Sequence, residues 1–267
     1  MGLGGAILRY ETIEIQRDKD IVTVFLNRPE VHNAMNEHLM KELTAYFKEL
    51  SKDNETRIVI LSGKGKSFCA GADLNWMRNM VKYSKEENIK DSRLLLNLYE
   101  AIYNCPKPVI GRVNGHAFGG GLGLFAVCDI AIAVPDCKFA FSEVKLGIIP
   151  AVISTYIVRR IGLSNMRRLF ITGERFNSEY AKEIGLIDYL VSDDEIDKKI
   201  QSYAELLRSS GPIAIEEVKK LIDSFEKMAI EDYKTHTVKT ISNLRVSDEG
   251  QEGINAFLEK RKSNWSE

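Results

Sequence analysis

Residues 116–129 read HAFGGGLGLFAVCD, with four glycines in five positions directly before an apolar run. Glycine is a poor helix former and loses more conformational freedom on folding than other residues. Such a cluster at the start of a helix therefore predicts that the backbone comes close to something. Two kinds of partner are considered: a phosphate held by a loop, or a reacting oxygen faced by backbone N–H groups. A third interpretation is that the glycines only permit tight packing between helix and sheet.

A phosphate loop of the Walker type is excluded by spacing. The stretch GKGKS at 63–67 ends in Gly-Lys-Ser, but the motif needs another glycine five residues before the final glycine. The residue at that position is Ile60, which lies inside an apolar run typical of a strand. The chain also has no Gly-x-Ser-x-Gly sequence, which excludes the nucleophile elbow of a serine hydrolase.

A dinucleotide-binding loop matches the sequence motif better, but the predicted secondary structure around the motif does not fit. Gly121, Gly123 and Ala126 match the loose fingerprint, and Glu143 follows twenty residues later. In that fold the strand runs directly into the first glycine and a full helix follows. Here NGHAFG stands between the strand ending at Val113 and the glycines, and the next strand begins soon after the last motif position. The predicted helix is too short, so this interpretation is disfavoured.

Composition excludes several further classes. The 267 residues carry a formal net charge of −1 with scattered basic residues, so we expect no nucleic-acid partner. The longest apolar run, 119–134, contains Asp129 and is shorter than the roughly 18 to 20 residues of a membrane span. The N-terminal sequence MGLGGAILRYE has no basic region before its apolar patch, which disfavours a signal peptide and favours a cytoplasmic location.

The four cysteines do not have the spacing of a zinc site, since no Cys-x-x-Cys pair and no neighbouring histidine pair occurs. We therefore expect no metal, and free buried thiols rather than disulfides. The cysteines are Cys69, Cys105, Cys128 and Cys137.

Hydrophobic periodicity predicts a mixed α/β body to about residue 195 and helices after it. An opening hairpin is predicted from residues 10–26 with RDKD as its turn, and Asn36 begins a predicted helix. The other predicted helices cover 83–103 and short segments starting at Ser154, Ser164 and Ser178, with these serines as caps. The other predicted strands cover 57–62, 109–113, 129–134 and 138–141.

Three segments together resemble the enoyl-CoA hydratase/isomerase, or crotonase, superfamily. They are SGKGKSFCAGADL (62–74), RVNGHAFGGGLGL (112–124) and FAFSEVKLGIIPA (139–151). The resemblance also includes 26–36, 172–188 and 252–265, so it extends over essentially the whole chain in the right order. The resemblance implies an α/β fold of the ClpP/crotonase type, a ββα superhelix. It implies a core domain over 1–195 and a C-terminal helical trimerisation region over 196–267. The expected assembly is a homotrimer, or a hexamer made of two trimers.

The resemblance also implies the catalytic residues. The backbone N–H groups of Ala72 and Gly120 would form an oxyanion hole for the carbonyl of an acyl-CoA thioester, which favours an enolate-like transition state. Glu143 would be the acid/base, with its pKa raised by apolar neighbours such as Phe141 and Ile148. The alternative for Glu143 is a surface ion pair with Lys145.

One position departs from the superfamily pattern. A second carboxylate is usual three residues after the middle glycine, and this chain has Gly123 there. ADLNWMR and SEVKLGIIPAVIS are most similar to bacterial 3-methylglutaconyl-CoA hydratases. A second glutamate would repel the distal carboxylate of that substrate, so Gly123 is expected to remove a charge and to leave room for a branched acyl chain.

Binding residues are also implied by position. Further contacts to the substrate are expected from Ala70, Asp73 and Leu74, beside Ala72. CoA phosphates are expected at Arg28, Lys64 and Lys66. Phe257 and Lys260 of the tail would reach the CoA of a neighbouring subunit.

The expected function is hydration of the α,β double bond of an enoyl-CoA, with no cofactor apart from the CoA of the substrate. Two alternatives stay open. One is a Δ3,Δ2-enoyl-CoA isomerase that uses Glu143 as its only proton carrier. The other is a catalytically weak subunit that binds acyl-CoA or RNA; the near-neutral charge disfavours the RNA version.

Overall fold

A computed structural model of the chain describes residues 10–266. The N-terminal apolar patch considered above lies outside these residues. The strands are β1 (Ile13–Asp18), β2 (Ile21–Leu26), β3 (Ile58–Gly63), β4 (Ser67–Cys69), β5 (Val109–Val113), β6 (His116–Phe118), β7 (Ile130–Ala133), β8 (Lys138–Ala140), β9 (Phe176–Asn177) and β10 (Tyr189–Leu190). The helices are α1 (Glu37–Leu50), α2 (Leu74–Met80), α3 (Lys85–Tyr103), α4 (Gly120–Ala126), α5 (Ser154–Thr172), α6 (Ser178–Glu183), α7 (Ile196–Arg208), α8 (Pro212–Phe225), α9 (Ile230–Val246) and α10 (Asp248–Leu258).

The strands form two sheets. The larger has the order β1-β2-β3-β5-β7-β10 and is parallel except for the β1–β2 hairpin. The smaller has the order β4-β6-β8-β9 and is parallel except for the β8–β9 pair. Parallel strands covered on both faces are continuously apolar, and every residue of β3 is buried. The predicted mixed α/β architecture is confirmed.

The smaller sheet and α4 share an aromatic core. The ring of Phe125 on α4 packs edge-on against Phe68 of β4 and Phe139 of β8, with ring centroids 5.7 and 5.8 Å apart. All three rings are fully buried. Burial of aromatic side chains contributes strongly to core stability and restricts geometry, so these contacts hold α4 against β4 and β8.

The parallel arrangement of β4, β6 and β8 brings three loops to one edge. In the sheet β6 lies between the other two, with Cys69 opposite Ala117 and Phe118 opposite Ala140. Parallel neighbours end at the same edge of a sheet, where ligand sites of such sheets typically form. The segments that leave this edge are 70–73, 119–121 and 141–143.

The segment 28–35 supports this edge through a buried asparagine. The side chain of Asn33 accepts a hydrogen bond from the Arg28 N–H (2.9 Å) and donates to the carbonyls of Lys64 and Ser67 (both 2.8 Å). Asn33 is fully buried and has φ of 56°, a left-handed conformation that asparagine tolerates better than most residues. One side chain therefore links the loop after β2 to the turn between β3 and β4.

Several details differ from the sequence-based expectations. The segment 74–80, for which no helix was predicted, forms α2. Ser154 and Ser164 are not caps, because α5 runs through both and is interrupted only at Gly162 (φ 69°). The cap of α6 is Asn177, whose side chain accepts from the Tyr180 N–H, and not Ser178.

The C-terminal helices α7–α10 follow the last strand. Their large exposed apolar side chains include Val218, Ile222, Phe225, Val238, Ile241, Val246 and Leu258. Exposed apolar side chains in such number on successive helices are consistent with protein–protein contact. The division at residue 195 and the trimerisation role of the tail stay predictions. Within residues 10–266 there is no helix with the length and apolarity of a membrane span.

We expect Asn33→Ala to lower the free energy of unfolding by about 2–4 kcal/mol, because it leaves one buried and two partly buried backbone groups without this partner. Chemical denaturation measures this loss. Asn54→Ala, in an exposed loop, is the control and should change stability by less than about 0.5 kcal/mol. Equal stability of the two variants would contradict the proposed role of Asn33.

Candidate active site

Glu143 lies at the edge where β4, β6 and β8 end. It belongs to a short 3-10 helix, Ser142–Leu146, directly after β8. Its carboxyl packs against Gly119, where a Cβ would be only 2.9 Å from Oε1 of Glu143. Gly119 has φ of 51° and donates its N–H to the carbonyl of Ala140 (2.9 Å). A residue with a side chain would be strained at this positive φ, and its Cβ would collide with the carboxyl of Glu143. Position 119 therefore requires glycine.

The carboxyl of Glu143 is buried without a full set of partners. Its Oε2 atom is buried and has no hydrogen-bond partner within the described residues. Burial raises the pKa of Glu143, and this effect outweighs a lowering hydrogen bond from its own backbone. The exposed side chain of Lys145 forms no ion pair with it in this part of the chain. The surface-pair interpretation of Glu143 is therefore wrong, and a carboxyl with a raised pKa is suited to proton transfer near neutral pH.

Ala72 lies in the segment 70–73, which leaves the same edge. It forms a parallel bridge with Met35, in which the Met35 N–H donates to Gly71 (2.7 Å) and the Asp73 N–H donates to Met35 (2.8 Å). Successive N–H groups of an extended segment point to opposite sides, so the Ala72 N–H points away from Met35. Within residues 10–266 this N–H has no acceptor.

The Gly120 N–H is also without an acceptor in the described residues. Gly120 is the first residue of α4, and the first N–H groups of a helix have no partner inside it. The backbones around Ala72 and Gly120 touch: a Cβ on Gly71 would lie 2.8 Å from the Phe118 carbonyl oxygen, and one on Gly121 would lie 2.4 Å from that of Cys69. Both expected oxyanion-hole donors are thus without an acceptor among residues 10–266, and they lie on segments in direct contact.

Gly123 has a different role from the expected one. A Cβ at this position would lie 2.6 Å from Cγ2 of Ile153 and 2.7 Å from the ring of Tyr99. The expectation that Gly123 leaves room for a branched acyl chain is therefore wrong, because these side chains occupy the space. At Gly123 the glycine permits close packing of α4 against Tyr99 and Ile153, and there is no space for the side chain of a second carboxylate.

Tyr99 is a residue that the sequence analysis did not single out. It is fully buried on α3, and its hydroxyl donates to the carbonyl oxygen of Gly120 (2.7 Å). Burial raises the pKa of Tyr99 well above its ordinary value, so the hydroxyl stays a donor. The contact restricts the orientation of the backbone at Gly120. Tyr99 lies four residues after Leu95 and therefore on the same apolar face of α3, and this spacing could have indicated its burial.

The expected binding residues beside Ala72 have structural contacts. Asp73 caps α2 by accepting from the N–H groups of Asn75 (2.8 Å) and Trp76 (3.2 Å). It also pairs with Arg28 (2.8 Å), whose guanidinium donates to the Ala34 carbonyl as well. These contacts join the loop after β2 to the loop after β4. A CoA contact of Arg28 or Asp73 stays a prediction.

The remaining expected binding residues differ in accessibility. Ala70 is half-buried and donates its N–H to the His32 carbonyl (3.0 Å), whereas Leu74 is exposed. Lys64 pairs with Glu14 (2.7 Å) and lies over the ring of Phe25, while Lys66 is exposed. Lys66 is therefore more accessible to an anion than Lys64.

Phe257 lies in the last turn of α10, and Lys260 follows two residues after the helix ends. Phe257 is 82% exposed, and Lys260 is exposed with φ of 55°. Both are accessible on the outer surface of this chain. Their contact with a neighbouring subunit's CoA stays a prediction.

Comparison with known proteins assigns the family. The family model for enoyl-CoA hydratase/isomerase matches residues 16–267. The chain belongs to this family. The crystal structure of an enoyl-CoA hydratase from Shewanella pealeana has a TM-score of 0.93 and 38% identity over 96% of this chain and 97% of that chain. The resemblance, the crotonase fold and the expectation of an enzyme are thereby confirmed.

Two relatives show which members of the family are similar in sequence. Crotonyl-CoA hydratase from Syntrophomonas wolfei is 30% identical over 97% of this chain and 99% of its own length. 2,3-Dehydroadipyl-CoA hydratase from Escherichia coli is 28% identical over 92% of this chain and 95% of its own length. The likeness thus covers nearly the whole length of both relatives.

We expect Glu143→Gln to stabilise this family member at neutral pH. Below the ordinary carboxyl pKa of 4.5 the group is protonated in both states, so it imposes no electrostatic penalty. Above the raised pKa, folding buries a charge that the unfolded chain solvates, and the penalty is full. Thermal unfolding of the two proteins across pH measures the difference, which should be largest at neutral pH and disappear well below pH 4.5. Glu86→Gln, at an exposed site, should show no such pattern. A stability gain that does not depend on pH would contradict this account.

Tyr99→Phe should lower turnover about fivefold with a small change in KM, because it removes one hydrogen bond of about 1 kcal/mol that orients the Gly120 backbone. Steady-state kinetics with an enoyl-CoA measures both constants. Tyr46→Phe is the matched control, since Tyr46 packs against Tyr10, far from Gly120 in sequence, and should leave both constants unchanged. A rise of KM alone would contradict a role at the oxyanion hole.

Proposed function

We propose that the chain adds water across the α,β double bond of an enoyl-CoA thioester. The observation that carries this proposal is the buried carboxyl of Glu143 at the edge that also holds the Ala72 and Gly120 N–H groups. Within residues 10–266, Oε2 of Glu143 and both N–H groups have no hydrogen-bond partner. These two donors would bind the thioester oxygen. Donors that are already oriented stabilise a developing oxyanion more than its neutral ground state.

One carboxyl is sufficient for the proton balance of this reaction. Ionised Glu143 takes a proton from water as the water oxygen bonds to Cβ, and the electrons of the double bond move onto the thioester oxygen as an enolate. The protonated carboxyl then gives its proton to Cα, the carbonyl reforms, and Glu143 is ionised again. Because the first step needs the carboxylate, the rate should fall as the pH drops through the raised pKa.

For the substrate we propose a branched or carboxylated acyl group such as that of 3-methylglutaconyl-CoA. The segments ADLNWMR and SEVKLGIIPAVIS support it by their resemblance to hydratases of that substrate. The relative named for 2,3-dehydroadipyl-CoA, a substrate whose acyl group ends in a carboxylate, also supports it. Space at Gly123 does not support it, although the absence of a carboxylate there does remove one repulsive charge.

An isomerase that moves a double bond from the 3 to the 2 position is the second candidate. The enclosed position of Gly123 favours it, because Glu143 has no second carboxylate beside it there to hold water. In that reaction Glu143 would take a proton from Cα and return it at the γ carbon. Both candidates need the same two N–H donors.

We propose a homotrimer, or a hexamer of two trimers, as the assembly. The exposed apolar side chains of the C-terminal helices support a buried contact between subunits. The expectations of no nucleic-acid partner, no metal and a cytoplasmic location stay predictions.

An absorbance assay with two thioesters separates the candidates. A hydratase should remove the conjugated absorbance of 3-methylglutaconyl-CoA, whereas an isomerase should create conjugated absorbance from a 3-enoyl-CoA. Glu143→Gln should reduce the active reaction by about 10²-fold or more, because proton transfer is lost. Glu179→Gln, exposed on α6, is the control. Full activity of the Glu143 variant would contradict both mechanisms.

A further inference from the structure

Met35 lies between the two N–H donors of the proposed oxyanion hole. It directly precedes the cap of α1 and is only 1% exposed. Its backbone pairs with the segment that carries Ala72, and its side chain contacts Gly120. One buried residue therefore touches both donor segments, which are far apart in sequence.

The backbone of Met35 fixes the position of Ala72. The Met35 N–H donates to the Gly71 carbonyl (2.7 Å), and the Met35 carbonyl accepts from the Asp73 N–H (2.8 Å). These two hydrogen bonds flank Ala72 and hold its N–H on the opposite side of the segment. Met35 is itself restrained, because the next residue, Asn36, caps α1 with its side chain.

The side chain of Met35 reaches the other donor. A Cβ at position 120 would lie 2.7 Å from Cε of Met35 and 3.0 Å from the hydroxyl oxygen of Tyr99. The terminal methyl group of Met35 therefore packs against the α-carbon of Gly120, while the Tyr99 hydroxyl holds the carbonyl oxygen of the same residue. Gly120 cannot move closer to the backbone of Met35 without displacing this methyl group.

The length of one side chain thus sets the spacing between the two donor segments. Ala72 is held by the backbone of Met35, and Gly120 rests on the far end of its thioether. Two donors stabilise an oxyanion only if both reach the same oxygen, and a displacement of about 1 Å can lower a rate about 10²-fold. A shorter side chain at position 35 would leave the Gly120 backbone without this support.

We infer that Met35 is a positioning residue of the oxyanion hole. Its backbone orients the Ala72 N–H, and its methyl group keeps the Gly120 N–H at the distance at which both donors bind one thioester oxygen. The inference rests on the proposed acyl-CoA function and adds a residue to that site. Met35 acts through the two donors and takes no part in proton transfer.

The test measures the carbonyl stretch of a bound thioester by infrared difference spectroscopy. The probe is butyryl-CoA with a ¹³C label at the thioester carbon, a saturated compound that cannot be hydrated. In the unaltered protein the two donors should move the band to lower wavenumber than in free butyryl-CoA. Met35→Ala should reduce this shift, and kcat for crotonyl-CoA should fall about 10- to 100-fold while KM changes less than about threefold.

Two further variants separate spacing from core packing. Met35→Leu nearly conserves the apolar volume but ends closer to its own backbone, so the thermal stability should hardly change while the carbonyl shift is still reduced. Met40→Ala removes another fully buried methionine, on α1, which is not among the side chains nearest to position 120. It should lower the stability about as much as Met35→Ala and leave the shift and kcat unchanged.

A full shift and full kcat in both Met35 variants would overturn the inference and leave the proposed oxyanion hole intact. An equal reduction in Met40→Ala would also overturn it, because loss of core packing would then be the cause. If the unaltered protein does not bind butyryl-CoA, or binds it without a shift, the proposed function fails together with the inference. If the shift is present but no enoyl-CoA is hydrated, only the hydration proposal fails, and the shifts of the variants decide the inference.

Discussion

The parallel pairing of β4, β6 and β8 is the constraint on which the rest of the site depends. Each strand contributes only three residues, yet their shared direction delivers the loops with Ala72, Gly120 and Glu143 to one edge. The loops touch through backbone atoms, at distances that only glycine allows at positions 71 and 121. Main-chain contact of this kind leaves little freedom, so the free N–H groups keep their orientation without a ligand.

The energetic cost of the site is concentrated in one carboxyl. Glu143 is removed from water without receiving an ion pair within the described residues, which destabilises its charged form. The surrounding contacts of Arg28, Asn33 and Asp73 are, in contrast, well satisfied. The polar network beside the site therefore stabilises the loops. The electrostatic penalty of burial falls on Glu143, the group that would transfer protons.

Much of the site could be predicted because its parts are local sequence segments. The resemblance of their segments to the superfamily motifs implied Gly120 and Glu143, and each of those motifs is a continuous stretch of sequence. The larger strands were also predicted within a residue or two, because their apolar runs are short and bounded by turn residues. The capping serines of α5 were predicted wrongly, because a single glycine, and not a serine, interrupts that helix.

The role of Gly123 could not be read from its own segment. What fills the space beside it is Tyr99, twenty-four residues earlier on another helix, and Ile153, thirty residues later. The pairing of Arg28 with Asp73 is equally remote in sequence. The neighbours of Gly123 and the Arg28–Asp73 pair depend on tertiary packing, which the periodicity of one segment cannot predict.

The fit of Tyr99 and Ile153 over Gly123 has an evolutionary consequence. A glutamate at position 123 would require smaller side chains at both neighbours, and each of those reductions alone would leave a cavity. A change from the one-carboxylate to the two-carboxylate form of this fold would therefore pass through variants of lower stability, which disfavours it by single substitutions.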